Sequence, residues 1–221
     1  MKDSSKLDEM VVQIEFLLIS VIQGVALAAL ASSAASPVVN LQYEYWPYII
    51  IAFLFILIFW SQAIMHVLSF IRWPIDMAHN FLYFLASLVE VMAFNELTNP
   101  LKWFGFIFSF VLVTAFLYLY DLQLIKRCKN DFIKTRSGKN LWESIYNEQI
   151  FETKVFVPLG LLYTIGAFLA ILFYPNIFIK QHYHLIFVGG QVIFGLIILI
   201  TSLKAFKKRL RLIATQQIAS K

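Results

Sequence analysis

WPYIIIAFLFILIFWSQAIMHVLSFIRWPIDMAHNFLYFLASLVEVMAFNE, residues Trp46 to Glu96, is two apolar runs joined by Arg72-Trp73-Pro74. Each run, Pro47–Ile71 and Ile75–Asn95, is long enough to cross a bilayer, since about 20 helical residues span about 30 Å of hydrocarbon. Between them they carry Gln62, His66, His79, Asn80 and Glu90. Ionisable side chains are expensive at such depth, which makes them the first functional candidates.

Four more segments of the same kind flank this hairpin, near 11–32, 101–124, 155–174 and 185–203. Composition agrees. Apolar residues fill 60% of the 221 positions and charged residues 14%, against about 25% charged in a soluble domain. The 22 Phe and 10 Tyr suit lipid-facing and interfacial surface. The expected fold is all-α: one integral membrane domain, 1–221, with six transmembrane helices. The apolar run after the polar N-terminus is too long for a signal-peptide core and lacks a clear cleavage site, so it reads as a retained helix.

Charge sets the expected topology. With the N-terminus inside, all but two of the 18 Lys and Arg, the exceptions being Lys102 and Lys180, fall on the inner side. Five or seven spans would spoil this partition. Both termini are therefore expected in the cytoplasm, with the chain in a bacterial inner membrane. The net charge of +5 follows from the same flanking segments. It suits anionic lipid and gives no reason to expect nucleic-acid binding. The single Cys128 excludes an internal disulfide framework and a Cys-rich metal site.

The turns come from Pro37 and the polar stretch to Tyr45, from Asn99-Pro100, and from Pro175 onward. The longest connection, 125–154, is basic and polar, with a break at Ser137-Gly138. After the break, Leu141, Trp142, Ile145, Tyr146, Ile150 and Phe151 fall near one helical face. That face fits either the membrane surface or the protein's own cytosolic side. The basic tail, 204–221, continues the last helix.

Among intramembrane polar groups Glu90 stands first. It lies about 21 Å along its helix from Asp76, in the outer half of the membrane. His79, Ala86, Ser87 and Glu90 share one face, which should point to protein or to a watery path. A carboxylate there demands a cationic or hydrogen-bonding partner, and it offers a proton or cation site. Gln23, beside Gly24, sits near the midplane of the first segment, where a ring of such groups at an oligomer axis could line a pore. Gln62 and His66 lie four apart near the inner end of the second segment, and His79 begins the third. Two histidines with no Cys or nearby carboxylate pair make a poor zinc site, so no metal or other cofactor is expected. Gln62, His66, His79, Asn80 and Ser87 read as an intramembrane polar network. Gly-x-Ser-x-Gly, His-Glu-x-x-His and phosphate-binding glycine loops are all missing, so an enzyme is not expected.

The stretch Val21-Ile22-Gln23-Gly24-Val25-Ala26, the run Phe59-Trp60-Ser61-Gln62 with His66, and Asn80 resemble prokaryotic relatives of the endolysosomal six-helix potassium channel family. The resemblance covers about Phe16 to Phe106. It implies an ion-conducting oligomer with both ends inside. Residue by residue it retains Gly24, Val25, Trp60, His66 and Asn80. The Ser and Asp of that family's first-helix signature are Ile22 and Gln23 here, so potassium selectivity does not carry over.

Two functions follow as expectations. One is an oligomeric ion channel or pore, with Gln23, Gly24 and Glu90 on the path. The other is an accessory subunit that docks a soluble cytosolic protein through the long connection and basic tail. A lipid-acting enzyme using His66, His79 or Glu90 has no motif behind it.

Overall fold

The computed structural model describes residues 2–69, 77–133 and 136–219. The order is α1 (Lys2–Val39), a 3-10 turn (Tyr43–Tyr45), α2 (Trp46–Ser69), α3 (Met77–Phe94) and α4 (Pro100–Arg127). There follow α5 (Lys129–Phe132), α6 (Arg136–Phe151), a π-helical turn (Glu152–Phe156), α7 (Val157–Phe173), α8 (Pro175–Phe178) and α9 (His184–Ala219). Among the described residues there is no strand. Six helical stretches are long and apolar enough to cross a membrane, matching the expected number of spans. The expected Arg72-Trp73-Pro74 turn lies outside the described residues, as does Asp76.

Local chemistry sets several boundaries. Asn99 caps α4 by accepting from the Lys102 amide at 3.2 Å, and Pro100 takes the first helical position, where its missing N–H costs nothing. The turn expected at Pro37 starts later. α1 runs through Pro37 to Val39, because a proline in the last turn forfeits only one backbone hydrogen bond. Ser137-Gly138 is no break either, since both residues lie in the first turn of α6. α6 then passes without interruption through the π turn into α7, so the fifth span extends back into the expected connection. Pro158 accounts for the wide turn. It has no N–H to give residue 154, and its ring would crowd that carbonyl in a regular helix.

The spans form a ring. α1 packs on α2 and α3, α3 on α4, α4 on α7, and α2 on α9. The α7–α9 seam closes the ring and is its loosest contact. The first turns of the apolar part of α1 pack near the end of α2, and Leu212 of α9 packs near the end of α4. Both chain ends therefore lie at one end of the bundle, called the termini end below.

Inside lipid, helices gain little from burying apolar surface, so packing and hydrogen bonds between them carry the fold. At the end away from the termini, Tyr48, Trp103, Phe104 and Phe94 are fully buried together. Tyr48 and His184 share a hydrogen bond of 2.8 Å, and Trp103 Nε1 donates to Gln191 Oε1 at 3.2 Å. At mid-depth Phe59 stacks on Tyr83 with centroids 4.7 Å apart. Across the α7–α9 seam, Tyr163 lies over Gly190 and donates to the Phe187 carbonyl at 2.7 Å. A side chain at 190 would overlap that hydroxyl.

At the termini end, Leu141, Trp142 and Ile145 of α6 are buried against Ile125 of α4. Trp142 Nε1 donates to the Ile125 carbonyl at 2.9 Å. Leu141, Trp142 and Ile145 of the connection's apolar face are thus spent on the protein's own helices, while Phe151 at its end is exposed. Trp142→Ala is expected to cost about 3–5 kcal/mol, read as a lower unfolding midpoint in detergent. An unchanged midpoint would return that face to the lipid.

Candidate functional site

The polar side chains of four spans converge inside the ring near the termini end. Gln62 and His66, one helical turn apart, come from α2. His79 begins α3, and Asp121 lies on the inner face of α4 below Thr114 and Tyr118. Ser202 and Arg209, two turns apart, come from α9. The π turn adds Glu152, which is buried.

Gln62 is the junction. Its amide nitrogen donates to Ser202 Oγ at 2.7 Å and to Glu152 Oε1 at 3.3 Å. Arg209 Nε donates to Glu148 Oε2 at 2.7 Å, and the Arg209 side chain is only 9% exposed. His79 Nε2 lies 3.4 Å from Asp121 Oδ1 and His66 Nδ1 lies 3.8 Å from Asp121 Oδ2. The two imidazoles stack, with centroids 4.5 Å apart and planes 8° from parallel. Gln149 Nε2 donates to the Tyr118 carbonyl at 3.1 Å and so fixes α6 to α4 beside the cluster.

Of these groups, Gln62, His66, His79, Asp121, Gln149 and Arg209 line one end of a cavity of about 180 Å³ inside the ring. The walls are mostly apolar, with Ile19, Phe59, Phe110, Phe156 and Phe194 prominent. Deeper in, the cavity reaches Tyr163, Thr164 and Gln191. A water needs roughly 10–15 Å³ of such space, so several waters or one small solute fit. Thr114 Oγ1 and Gln191 Nε2, both on cavity-lining residues, are buried without a hydrogen-bond partner in the protein.

A second, smaller cluster sits between α1 and α3. Gln23 is buried and points its amide at the Tyr83 hydroxyl, 3.5 Å away. Glu90 is completely buried with its carboxyl against the Gln23 amide. Ser87 spends its hydroxyl on the Tyr83 carbonyl of its own helix, at 3.0 Å. Tyr83 belongs to both clusters, since its hydroxyl meets Gln23 while the residue lines the cavity.

The structure brings Gln62, His66 and His79 together and leaves Asn80 on the cavity wall. It brings Gln23 to Glu90, but neither lines the cavity. Gly24 faces outward, with nothing within 4 Å of where a Cβ would stand. Gln23 and Gly24 therefore point to different surroundings. The sequence reading did not select Asp121, Glu152, Ser202 or Arg209. Glu152 and Arg209 lie in stretches read as connection and tail. A usable signal was present in Glu148 and Glu152, and in Ser202 and Arg209, at helical spacings beside apolar runs. No protein family, curated protein or solved structure matches this chain.

Two outcomes check this account. Arg209→Ala strips the partner from a largely buried ion pair and should cost about 3–5 kcal/mol. Lys208→Ala, at a position 63% exposed, should stay within about 0.5 kcal/mol. Both are read as unfolding midpoints in detergent, and equal effects would refute the ion-pair assignment. Glu90→Met removes a completely buried carboxyl at similar volume and should stabilise the fold by about 1–3 kcal/mol. A loss of stability would mean that the contact with Gln23 outweighs the cost of burying the carboxyl.

Proposed function

We propose that this chain is a membrane transport protein that carries a cation through the interior of its six-helix ring, with the termini end in the cytoplasm. The observation that supports it most is the cavity inside the ring, whose termini end is walled by Gln62, His66, His79 and Asp121. Such groups are costly at membrane depth and commonly mark ion or proton pathways. The unpartnered Thr114 hydroxyl and, deeper in the cavity, the unpartnered Gln191 amide nitrogen favour a polar occupant.

The skew of Lys and Arg supports the orientation. Lys204, Lys207, Lys208 and Arg211 on α9 suit the anionic lipid of a cytoplasmic leaflet, in keeping with a bacterial inner membrane. The resemblance to six-helix potassium channel relatives also favours ion conduction, and two of its retained positions, His66 and Asn80, line the cavity. Its other retained positions, Gly24, Val25 and Trp60, are exposed on the outside of the bundle. That outer face of α1 is the observation favouring a second reading, a pore between copies in a homo-oligomer. The accessory-subunit reading has less support, because Leu141, Trp142 and Ile145 are already packed on α4.

Proton and monovalent-cation flux into liposomes tests these readings. Asp121→Asn and Thr114→Phe should each cut flux at least about tenfold, equivalent to about 1.4 kcal/mol in the barrier. Gly24→Leu should leave flux near wild type. The reverse pattern would move the path to the outer face of α1. No flux from folded, inserted wild type would overturn transport in favour of a subunit role.

A further inference from the structure

We propose that His66, His79 and Asp121 bind a divalent transition-metal ion of the zinc class at the termini end of the cavity. The sequence offers two histidines without a carboxylate. The fold supplies one from α4. One nitrogen of each imidazole and one carboxylate oxygen all lie within 4.8 Å of one another. Around a tetrahedral zinc, ligands at about 2.0–2.2 Å stand roughly 3.3 Å apart. Each imidazole already stands near that distance from one Asp121 oxygen, His79 at 3.4 Å from Oδ1 and His66 at 3.8 Å from Oδ2, so the carboxylate and rings close by about an ångström to share one ion.

The donor set selects the metal. Two imidazoles with a carboxylate suit zinc, cobalt or nickel, whereas calcium and magnesium prefer oxygen alone. Three protein ligands leave a fourth position, and all three side chains line the cavity, so that position faces the space inside the ring. The stacked rings require one adjustment. Their planes lie 8° from parallel, so the two nitrogen lone pairs do not meet at one point. Binding turns one ring about its Cβ–Cγ bond, a soft torsion.

Charge around the cluster points the same way. Asp121, Glu148 and Glu152 lie with a single largely buried guanidinium, that of Arg209. Arg209 is paired with Glu148 at 2.7 Å, and the exposed Lys208 reaches the same carboxylate at 3.9 Å. Asp121 and Glu152 are buried carboxyl groups deeper in the bundle. A dication adds positive charge beside them, where buried charge is costly unless paired. The ligands come from α2, α3 and α4, so occupancy also ties α2 to the α3–α4 pair across the interior of the ring.

This inference stands apart from transport, because binding is read at equilibrium in detergent without a gradient. A silent flux assay leaves it intact, and absent binding leaves the flux reading intact. The test uses the full chain, stripped with chelator and titrated with Co²⁺. Wild type should develop the visible absorption of four-coordinate cobalt, and Zn²⁺ should raise its unfolding midpoint. His79→Gln and Asp121→Asn should each weaken Co²⁺ binding at least roughly tenfold. His182→Gln, on the loop at the opposite end beside Glu44, should not.

No cobalt absorption from wild type at millimolar Co²⁺ would overturn the proposal. So would unchanged affinity in both site variants, or loss of binding in His182→Gln. Should the site variants fail to fold, histidine modification of wild type by diethylpyrocarbonate, mapped by mass spectrometry, decides. Zn²⁺ should protect His66 and His79 but not His182, and equal modification with and without Zn²⁺ refutes the site.

Discussion

The Gln62 amide is held between Ser202 Oγ at 2.7 Å and Glu152 Oε1 at 3.3 Å, and much of the termini end depends on it. Lipid offers no partners to a polar group, so each one must find its partner within the bundle. Gln62 does this across helices and fixes α2 to α9 and to the π turn in a single residue. The π turn brings Glu152 inward to meet it, and Pro158 accounts for the π turn. A backbone irregularity required by one proline is thereby coupled to the placement of a buried carboxyl group.

The two ends of the ring solve the same problem with different chemistry. Away from the termini, Tyr48, His184, Trp103 and Gln191 form neutral hydrogen bonds within an aromatic core. Near the termini, the partners are ionisable, and Arg209 with Glu148 lies close to the water beyond the hydrocarbon. Neutral pairs need no counter-charge and can be packed tightly. Charged pairs are tolerable only where solvent or a counter-ion is near. This explains why the cavity is polar at one end and closed by rings at the other.

The spans were readable because six apolar runs and the Lys and Arg skew are one-dimensional signals. Glu90 and Gln23 were readable for the same reason, as single polar residues in long apolar contexts. Asp121, Glu152 and Arg209 were not. Each sits close to a span boundary, where a charged residue normally reads as interfacial. Only the continuity of α6 with α7, and of α9 with its basic tail, carries Glu152 and Arg209 into the bundle. The tail was expected to continue the last helix, but its basic composition placed Arg209 outside the bundle, and the polar composition of 125–154 did the same for Glu152. The inward turn of Gln23 and the outward turn of Gly24 depend on which side of α1 meets α2 and α3. Adjacent residues on a helix differ by about 100° in direction, so depth alone could not assign both to one path.

The cavity is unequal along its length, and this bears on how anything could move through it. Its termini end is walled by polar side chains, Gln62, His66, His79 and Asp121. Its other end is stoppered by Tyr48, Trp103 and Phe104, fully buried and locked by two hydrogen bonds. On the transport reading, entry from the termini end needs only side-chain motion, while exit needs helices to part. The α7–α9 seam is where parting loses least packing, because those helices touch loosely and are bridged by Tyr163 over Gly190. Glycine at 190 lets the Tyr163 hydroxyl reach the Phe187 carbonyl, and this bond, with the edge-on ring contacts of Tyr163 with Phe187 and of Phe156 with Phe194, closes that part of the ring. A ring packed sparsely along one seam and more fully elsewhere opens at that seam first.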